Sequence, residues 1–263
     1  MPYTLNKKAI LITGAAAGIG QATARFFAAR GWFVGLYDVD EAGVTALAAE
    51  LGVHNVLAGR LDVTNADEWK AALEAFFLRT GRLDVLLNNA GILASGPFES
   101  IQLERQQRIL DVNVKGVLNG CYHALSYLRR TQHSRVINMA SASAIYGQPS
   151  LASYSASKFA VRGLTEALDL EWQTHGIRVM DVLQLFVQTD MLKDARTKAI
   201  ASLGINLTPE DVAKTVWQAA CYKGLSPRVH WLVGTQTKLI YSLSGLAPDW
   251  LNRLVTRRIA TNH

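Results

Sequence analysis

A tyrosine and a lysine stand four positions apart in the segment YSASK, at Tyr154 and Lys158, with only small residues between them. The segment that follows has a helical pattern, so the two side chains are expected on one helical face. They could form an ordinary exposed pair, with the lysine in water and the tyrosine half buried. Alternatively, the ammonium lowers the pKa of the phenol, so that Tyr154 exchanges protons near neutral pH. The pair alone does not decide between these interpretations.

A glycine-rich turn near the N-terminus has the features of a pyrophosphate site. Gly14, Gly18 and Gly20 lie in ITGAAAGIGQATA, which follows an apolar run and opens a predicted helix. Such a turn points backbone N–H groups at a phosphate without a side chain in the way. Gly14 would make the sharp exit from the strand, Gly18 would admit the phosphates, and Gly20 would let the helix lie close to the sheet.

An aspartate follows the glycine turn at the distance that a ribose site needs. Asp38 comes 24 residues after Gly14, at the end of the second predicted strand. A carboxylate there accepts hydrogen bonds from the hydroxyls of an adenosine ribose and repels a 2′-phosphate. The turn offers three alanines and no basic residue that would neutralise such a phosphate, so the pattern favours NAD over NADP. Asp38 could instead cap a loop, and Asp40 could be the N-cap of the next helix.

Seven short apolar runs alternate with longer segments of helical period, and together they must position these residues. We predict strands at 8–13, 32–38, 55–62, 83–89, 135–141, 178–185 and 228–233. Apolar strands separated by helices are typical of βαβ crossovers and of a parallel sheet covered on both faces. The predicted fold is therefore α/β, a single doubly wound Rossmann-type domain with a seven-stranded parallel sheet in the order 3-2-1-4-5-6-7. Ligands of such sheets bind beyond the carboxyl ends of the strands.

The composition excludes several other classes of protein. The 263 residues are 49% hydrophobic and 18% charged, with a mean hydropathy of +0.11, which indicates a globular domain. No run is long and apolar enough to span a bilayer, and the net charge of +6 is scattered, so no nucleic acid partner is expected. Two isolated cysteines fit a cytoplasmic location. The histidines have no ligand spacing and GxSxG is absent, so neither a metal site nor a serine hydrolase is predicted.

Six motifs in order make the chain resemble a compact short-chain dehydrogenase/reductase, from about residue 5 to residue 235. They are TGAAAGIG at 13–20, LDVT at 61–64, NNAG at 88–91, DVNVKG at 111–116, INMASASAIYG at 137–147 and YSASK at 154–158. The resemblance implies hydride transfer between NAD(H) and a secondary alcohol or ketone. It also implies a homodimer or homotetramer, for which the small residues on the helix after Tyr154 offer a packing face: Ala156, Ala160, Gly163 and Ala167.

By resemblance, Ser141, Tyr154, Lys158 and Asn113 form a catalytic tetrad in which Tyr154 is the general acid/base. Ser143 is the alternative to Ser141, and Asn113 would hold a water that relays protons from Lys158. Because an exposed ion pair is worth under about 1 kcal/mol, we expect the bound cofactor to desolvate the Tyr–Lys pair. Together with the glycine turn and Asp38, the expected cofactor-binding residues are Gly14, Gly18, Ile19, Gly20, Asp38, Asp62, Val63, Asn89, Ala90, Gly91, Tyr154, Lys158, Val187 and Thr189.

The chain departs from the family after the sixth predicted strand. Leu185 and Phe186 stand where a Pro-Gly pair is usual, ahead of Val187 and Thr189. This change removes a permissive glycine and puts a large apolar group near the hydride site. We expect ordinary catalysis in a reshaped pocket. The alternatives are a non-catalytic NAD(H)-binding sensor or scaffold, and an NADP-dependent ketoreductase.

The rest of the chain is expected to enclose the substrate. Residues 1–235 would form the dinucleotide-binding and catalytic domain, with a lid at about 190–210, and residues 236–263 an amphipathic extension of the same domain. The extension would pack over the lid or against a partner subunit, and a membrane-surface role is the lesser alternative. A hydrophobic steroid-, retinoid- or acyl-like substrate is predicted from apolar candidate walls: Leu93, Ile145, Tyr146, Leu151, Phe186, Met191 and Leu192.

Overall fold

The structure is a computed structural model that describes residues 7–193, 195, 197–224 and 226–261. Within these residues the apolar runs form one parallel sheet in the order β3-β2-β1-β4-β5-β6-β7, which confirms the predicted topology. Its strands are β1 (Ala9–Thr13), β2 (Phe33–Asp38), β3 (Val56–Arg60), β4 (Val85–Asn88), β5 (Arg135–Met139), β6 (Arg178–Leu183) and β7 (His230–Leu232). The strand order reverses between β1 and β4, so a crevice opens there at the carboxyl edge of the sheet.

Helices cover both faces of the sheet, because alternate residues of each strand point to opposite sides. In β1, for example, Ile10 and Ile12 pack into one apolar cluster, and Ala9 and Leu11 into the other. The first cluster is closed by α1 (Gly18–Ala28), α2 (Glu41–Leu51) and α8 (Pro209–Ala220). The second is closed by α3 (Ala66–Thr80), α5 (Gly116–Leu128) and α6 (Ala152–Glu171).

The long helical segment predicted between the fourth and fifth strands is not one regular helix. It forms α4 (Leu103–Leu110) and α5, joined without a break by a π-helical turn at Asp111–Lys115. Single π turns inside α-helices are often found at functional sites. Asn113 lies in the middle of this turn, so the irregularity affects the direction in which its side chain points.

The C-terminal part of the chain builds a separate layer beyond the carboxyl edge of the sheet. A short 3₁₀ turn at Asp190–Leu192 and the helix α7 (Lys198–Leu203) fall in the predicted lid, whose residues 194 and 196 lie outside the described residues. After β7 comes a hairpin of two helices, α9 (Gly234–Leu246) and α10 (Asp249–Ala260). The hairpin is tied to α7, since Ser202 Oγ donates to the Ile259 carbonyl oxygen over 2.9 Å and Lys198 Nζ donates to that of Thr261.

Candidate active site

The glycine turn after β1 is shaped by contacts that exclude side chains. Gly14 and Gly18 have φ angles of +65° and +54°, which favour glycine. A Cβ on Gly20 would stand 2.0 Å from the Gly14 carbonyl oxygen, so α1 begins in direct contact with the turn. A Cβ on Gly18 would lie 3.2 Å from Thr189 Cγ2 and would narrow the space above the turn. The open cradle at a helix N-terminus fits the pyrophosphate of a dinucleotide.

Asp38 both orders this turn and faces the cleft beside it. Its Oδ2 atom accepts from the Ala16 N–H over 3.0 Å, and its Oδ1 atom accepts from the Asp40 N–H over 3.1 Å. Asp40 is the N-cap of α2, where its side chain accepts from the Gly43 N–H over 3.0 Å. The loop-ordering role of Asp38 is therefore real. The carboxylate can still accept further hydrogen bonds, because each oxygen has a second lone pair for a ribose hydroxyl.

The opposite wall of the cleft comes from the segments after β3 and β4. Asn89 braces the glycine turn, because its Nδ2 donates to the carbonyl oxygens of Thr13 and Gly14 over 2.9 and 3.0 Å. Asp62 Oδ1 accepts from the backbone N–H and the hydroxyl of Thr64. These segments and the turn enclose a cleft of about 430 Å³. Twelve of the fourteen expected cofactor residues line it; Gly20 lies behind the turn, and the buried Val187 faces a second cavity.

The Tyr–Lys pair lies on the first turns of α6, at the inner end of this cleft. Lys158 Nζ is 5.5 Å from the centroid of the Tyr154 ring and donates to the Met139 carbonyl oxygen over 2.8 Å. Lys158 is buried, whereas Tyr154 is partly exposed towards the two cavities. Both side chains therefore share one helical face, as their spacing predicts.

The electrostatics of the site correct one expectation. Burial lowers the pKa of Lys158 to about 8 and raises the pKa of Tyr154 to about 12, the latter opposed by a hydrogen bond with Ser141. The expectation that the cofactor must desolvate the pair is wrong for Lys158, because the fold alone buries it. Without a bound cofactor the phenol is a weaker acid than in water, since its charged form loses hydration.

Ser141 and Asn113 reach the pair from two other elements. Ser141 ends the β5 segment, and its Oγ accepts from the Ser143 N–H over 3.2 Å. Asn113 is buried: its Oδ1 accepts from the Ile92 N–H over 2.8 Å, and its Nδ2 donates to Ser157 Oγ over 3.0 Å. Ser157 Oγ in turn donates to the backbone oxygen of Tyr154 over 2.6 Å. The π turn is thus linked to α6 by one direct hydrogen bond, between Asn113 and Ser157.

A second cavity, of about 510 Å³, opens on the other side of Tyr154. All seven apolar walls expected from the sequence line it, and no described lining residue is charged. Its roof is the α9–α10 hairpin, which belongs to the amphipathic extension expected to pack over the lid or against a partner subunit. Five lining residues are also exposed, so the cavity opens to solvent between the lid and the hairpin: Met191, Leu243, Leu246, Pro248 and Val255. The signal for the roof is the apolar spacing of Leu251, Val255 and Ile259 along α10.

The backbone of the segment after β6 turns without a glycine. Neither Leu185 nor Phe186 has a positive φ, and both line the second cavity. The backbone at this point is therefore not strained, although no glycine is present. Gln184, just before them, was missed by sequence reasoning: it is buried and lines both cavities. The other residues shared by the two cavities are Ile19, Tyr154, Thr189 and Met191.

The described residues contain no group of three or more histidine, cysteine, aspartate or glutamate side chains that could hold a metal ion. Among the described helices, none is both long enough and apolar enough to cross a membrane. The site is thus built from the glycine cradle, the ribose-side carboxylate, the Tyr–Lys helix and an apolar cavity.

A doubly wound sheet with this site at its switch point defines a nucleotide-binding oxidoreductase. The model of the short chain dehydrogenase family matches residues 8–200, and the chain belongs to the short-chain dehydrogenase/reductase family. The relatives include a 3-oxoacyl-(acyl-carrier-protein) reductase of Thermotoga maritima, 33% identical over 81% of this chain and 89% of the relative. They also include a 3-beta-hydroxysteroid dehydrogenase of Comamonas testosteroni, 36% identical over 76% of this chain and 79% of the relative.

Solved structures agree with this assignment. A 3-ketoacyl-(acyl-carrier-protein) reductase of Brucella melitensis, complexed with NADH, superposes with a TM-score of 0.78 at 31% identity, over 88% of this chain and 98% of that one. A short-chain dehydrogenase/reductase of Burkholderia phymatum, in complex with NAD, gives a TM-score of 0.79 at 26% identity, over 92% and 94% of the two chains. A nicotinamide nucleotide is therefore the cofactor class of this family site.

Proposed function

We propose that this chain transfers a hydride between NAD(H) and a secondary alcohol or ketone on a hydrophobic substrate. The observation that carries the proposal is the position of Tyr154, which lines both the cofactor cleft and the apolar cavity. From this junction a phenol can exchange a proton with the substrate oxygen, while the cofactor supplies or accepts the hydride. Each carbonyl that is reduced gains one hydride and one proton, and each alcohol that is oxidised loses both.

The neighbouring side chains support distinct roles in this reaction. Tyr154, with its pKa raised to about 12, is protonated at neutral pH and is ready to donate to a carbonyl oxygen. For oxidation, the positive charge of Lys158 and of an oxidised cofactor would lower that pKa. Ser141, which is hydrogen-bonded to the phenol, would hold the substrate oxygen beside it. Asn113 would position the start of α6 and a water that relays protons, and Lys158 would also bind ribose hydroxyls.

The preference for NAD is supported by the charge around the ribose end of the cleft. Asp38 lines the cleft, and the turn opposite it contributes Ala15, Ala16 and Ala17 instead of a basic side chain. A 2′-phosphate would meet the Asp38 carboxylate there. The two arginines that line the cleft are engaged elsewhere, since Arg108 is paired with Asp62 and Arg105 donates to the Leu93 carbonyl oxygen. The relatives solved with NADH and NAD agree with this preference.

The substrate class is supported by the second cavity. Its lining is apolar apart from a few hydroxyl and amide groups, and it has no charged lining residue that would bind a carboxylate or a phosphate. A steroid-, retinoid- or acyl-like body would bury its surface there. Relatives named as steroid dehydrogenase and acyl-carrier-protein reductase act on substrates of this kind.

The test follows NADH absorbance over a panel of hydrophobic secondary alcohols and ketones, with wild type, Tyr154→Phe and the matched control Tyr146→Phe. Tyr146 also lines the cavity, so its variant tests the loss of a hydroxyl that has no proposed catalytic role. We expect Tyr154→Phe to lower kcat at least about 100-fold, the range of general acid–base catalysis, and the control to change it less than about threefold. Turnover retained by Tyr154→Phe would refute the assignment. A wild type that binds NADH and turns over no member of the panel would favour a sensor or scaffold.

We further propose a homo-oligomer that packs through the outer face of α6. Ala156, Ala160, Gly163 and Ala167 are exposed there, and a Cβ on Gly163 would meet nothing within 4 Å. Such a flat face of small residues allows close approach of a second helix. Light scattering coupled to size exclusion measures the mass directly, and a monomer would contradict this proposal.

A further inference from the structure

The α9–α10 hairpin carries large apolar side chains that are exposed to solvent. Along α9 they recur at helical spacing, at Leu239, Leu243 and Leu246. Along α10 they lie one turn apart, at Trp250 and Leu254. The exposed fraction is 88% for Leu246 and 65% for Trp250, whereas side chains of this size are usually buried. Exposure of several such residues together marks an interaction surface, and we call these five residues the hairpin patch.

The hairpin patch adjoins the mouth of the substrate cavity. Leu243 and Leu246 are exposed and also line the cavity, and Met191 does the same from the lid. The other three patch residues do not line the cavity, so the apolar surface continues from the mouth onto the outside of the hairpin. Because no described lining residue is charged, an apolar path leads from the patch to Tyr154. A lipophilic molecule would follow this path without crossing water.

Basic side chains border the hairpin patch. Residues 234–261 contain four basic side chains and one acidic side chain, Asp249. Lys238 on α9 and Arg253 and Arg258 on α10 are exposed, and each lies next to an apolar patch residue or one turn from it. The stems of such side chains lie along apolar surface while their charged ends reach outwards. An apolar surface with a basic border is complementary to an anionic membrane, whose acyl region accepts the apolar side chains and whose headgroups attract the basic ones.

A second copy of the chain would fit this surface less well. In a two-fold interface the same patch lies on both sides, so Arg253 and Arg258 of one copy would approach those of the other. Like charges that meet in an interface are unfavourable. The exposed indole of Trp250 instead suits a boundary that is apolar on one side and wet on the other. The charge and the ring chemistry of the patch therefore favour a membrane surface.

We propose that the hairpin patch docks the protein on an anionic membrane surface, so that a lipophilic substrate passes from the lipid into the cavity. The docking itself does not depend on the proposed function, whereas the passage of substrate rests on it. Leu246 and Trp250 would enter the boundary between headgroups and acyl chains, while Arg253 and Arg258 would contact lipid phosphates. Such contact needs no helix that crosses the membrane.

The test measures the partition of the full chain onto sedimented vesicles, without cofactor or substrate. The vesicles consist of phosphatidylcholine alone, or of phosphatidylcholine with the anionic lipid phosphatidylglycerol. We expect binding to the anionic vesicles to be at least about tenfold stronger, and to weaken as salt is added. Trp250→Ser/Leu254→Ser, which changes no residue of the cavity lining, should weaken this binding at least about tenfold, and Arg253→Gln/Arg258→Gln should do the same.

Matched controls replace exposed residues of the same kinds elsewhere on the surface. Val53→Ser/Leu78→Ser and Lys214→Gln/Lys223→Gln should change vesicle binding less than about twofold. Circular dichroism checks the fold, and Trp250→Ser alone replaces the double variant if the latter does not fold. A wild type that does not bind anionic vesicles would overturn the proposal, and so would equal weakening by patch and control variants. A lower mass of the Trp250→Ser/Leu254→Ser variant in light scattering, with vesicle binding unchanged, would assign the patch to a second copy instead.

The passage of substrate is tested separately, with a long-chain ketone dissolved in the vesicles and a small ketone dissolved in water. We expect Trp250→Ser/Leu254→Ser to raise the apparent KM for the long-chain ketone about tenfold and the KM for the small ketone less than about twofold. Equal changes in the two KM values would overturn the passage from the lipid. A wild type that binds the vesicles and turns over neither ketone would refute the proposed function and would still support the docking, so the two failures are distinguishable.

Discussion

Burial of Lys158 predicts a window of pH in which the cofactor-free protein gains stability. The fold lowers the pKa of this lysine from its ordinary value of 10.5 to about 8. Between these values the folded lysine is mostly neutral while the unfolded one is still charged, so the unfolded state binds more protons. The stability due to this group is therefore complete above about pH 10.5 and is lost as the pH falls through about 8.

The size of the effect follows from the width of this window. Each pH unit within it is worth about 1.4 kcal/mol, so the free energy of unfolding should rise by about 2 kcal/mol between pH 7 and pH 9.5, relative to Lys158→Met. Tyr154 does not interfere, because its pKa is raised from 10.0 to about 12 and its contribution is lost only as the pH rises above 10.

Urea unfolding of the cofactor-free protein, followed by tryptophan fluorescence, measures this difference. The protein concentration is kept fixed, because association would also change the apparent stability. Lys214→Met, at an exposed position of α8, is the matched control and should show no such pH-dependent difference from wild type. A difference between wild type and Lys158→Met that stays flat or shrinks over this range would refute the reasoning.

Three further predictions follow from other contacts. The KM for NADH should be at least about tenfold below the KM for NADPH. Asp38→Ser should lower the ratio of the NADPH value to the NADH value at least about fivefold. Equal KM values in wild type would contradict the role of the carboxylate. Leu251→Trp, in the cavity roof, should raise the KM for bulky ketones about tenfold and the KM for small ketones less than about twofold. Equal changes in the two KM values would show that the substrate binds elsewhere. Gly20→Ala should lower the free energy of unfolding by about 2 kcal/mol or more, because its methyl group would collide with the Gly14 oxygen. The control Gly147→Ala should lower it little, because a methyl group there meets nothing within 4 Å. Equal effects of the two variants on the free energy of unfolding would contradict the close packing at Gly20.

Local patterns in the sequence were enough to predict the sheet and the phosphate cradle. Most of the strands are recognisable because both of their faces are buried, which makes most of their residues apolar. Their order is the one typical of a doubly wound sheet, in which right-handed crossovers place helices on both faces. The turn at Gly14 and Gly18 is recognisable because positive φ angles restrict those positions to one residue type in practice.

Features that depend on distant partners were not predictable in this way. The side-chain oxygen of Gln184 is unpaired because the amide nitrogen donates to the carbonyl oxygen of Ala140, which directly follows the neighbouring strand β5. Nothing in the local pattern around Lys158 shows that it is buried against Met139 before a cofactor binds. For a related reason the sequence left two places open for the C-terminal extension, over the lid or against a partner subunit, since an amphipathic helix shows that it has an apolar face and does not show what that face covers.

The residues of the cavity roof and those of the cofactor cleft lie in different parts of the chain, so selectivity and chemistry depend on different segments. The α9–α10 hairpin lines the substrate cavity, and none of its described residues lines the cofactor cleft. The match to the family model ends at residue 200, so the hairpin lies outside the matched residues. Recombination at the end of β7 would replace the α9–α10 hairpin. It would leave unchanged the residues that are proposed to transfer the proton and bind the cofactor. Replacing the segment after β7 would then change the substrate range, and chimeras joined at residue 233 would inherit the selectivity of the donor of the hairpin.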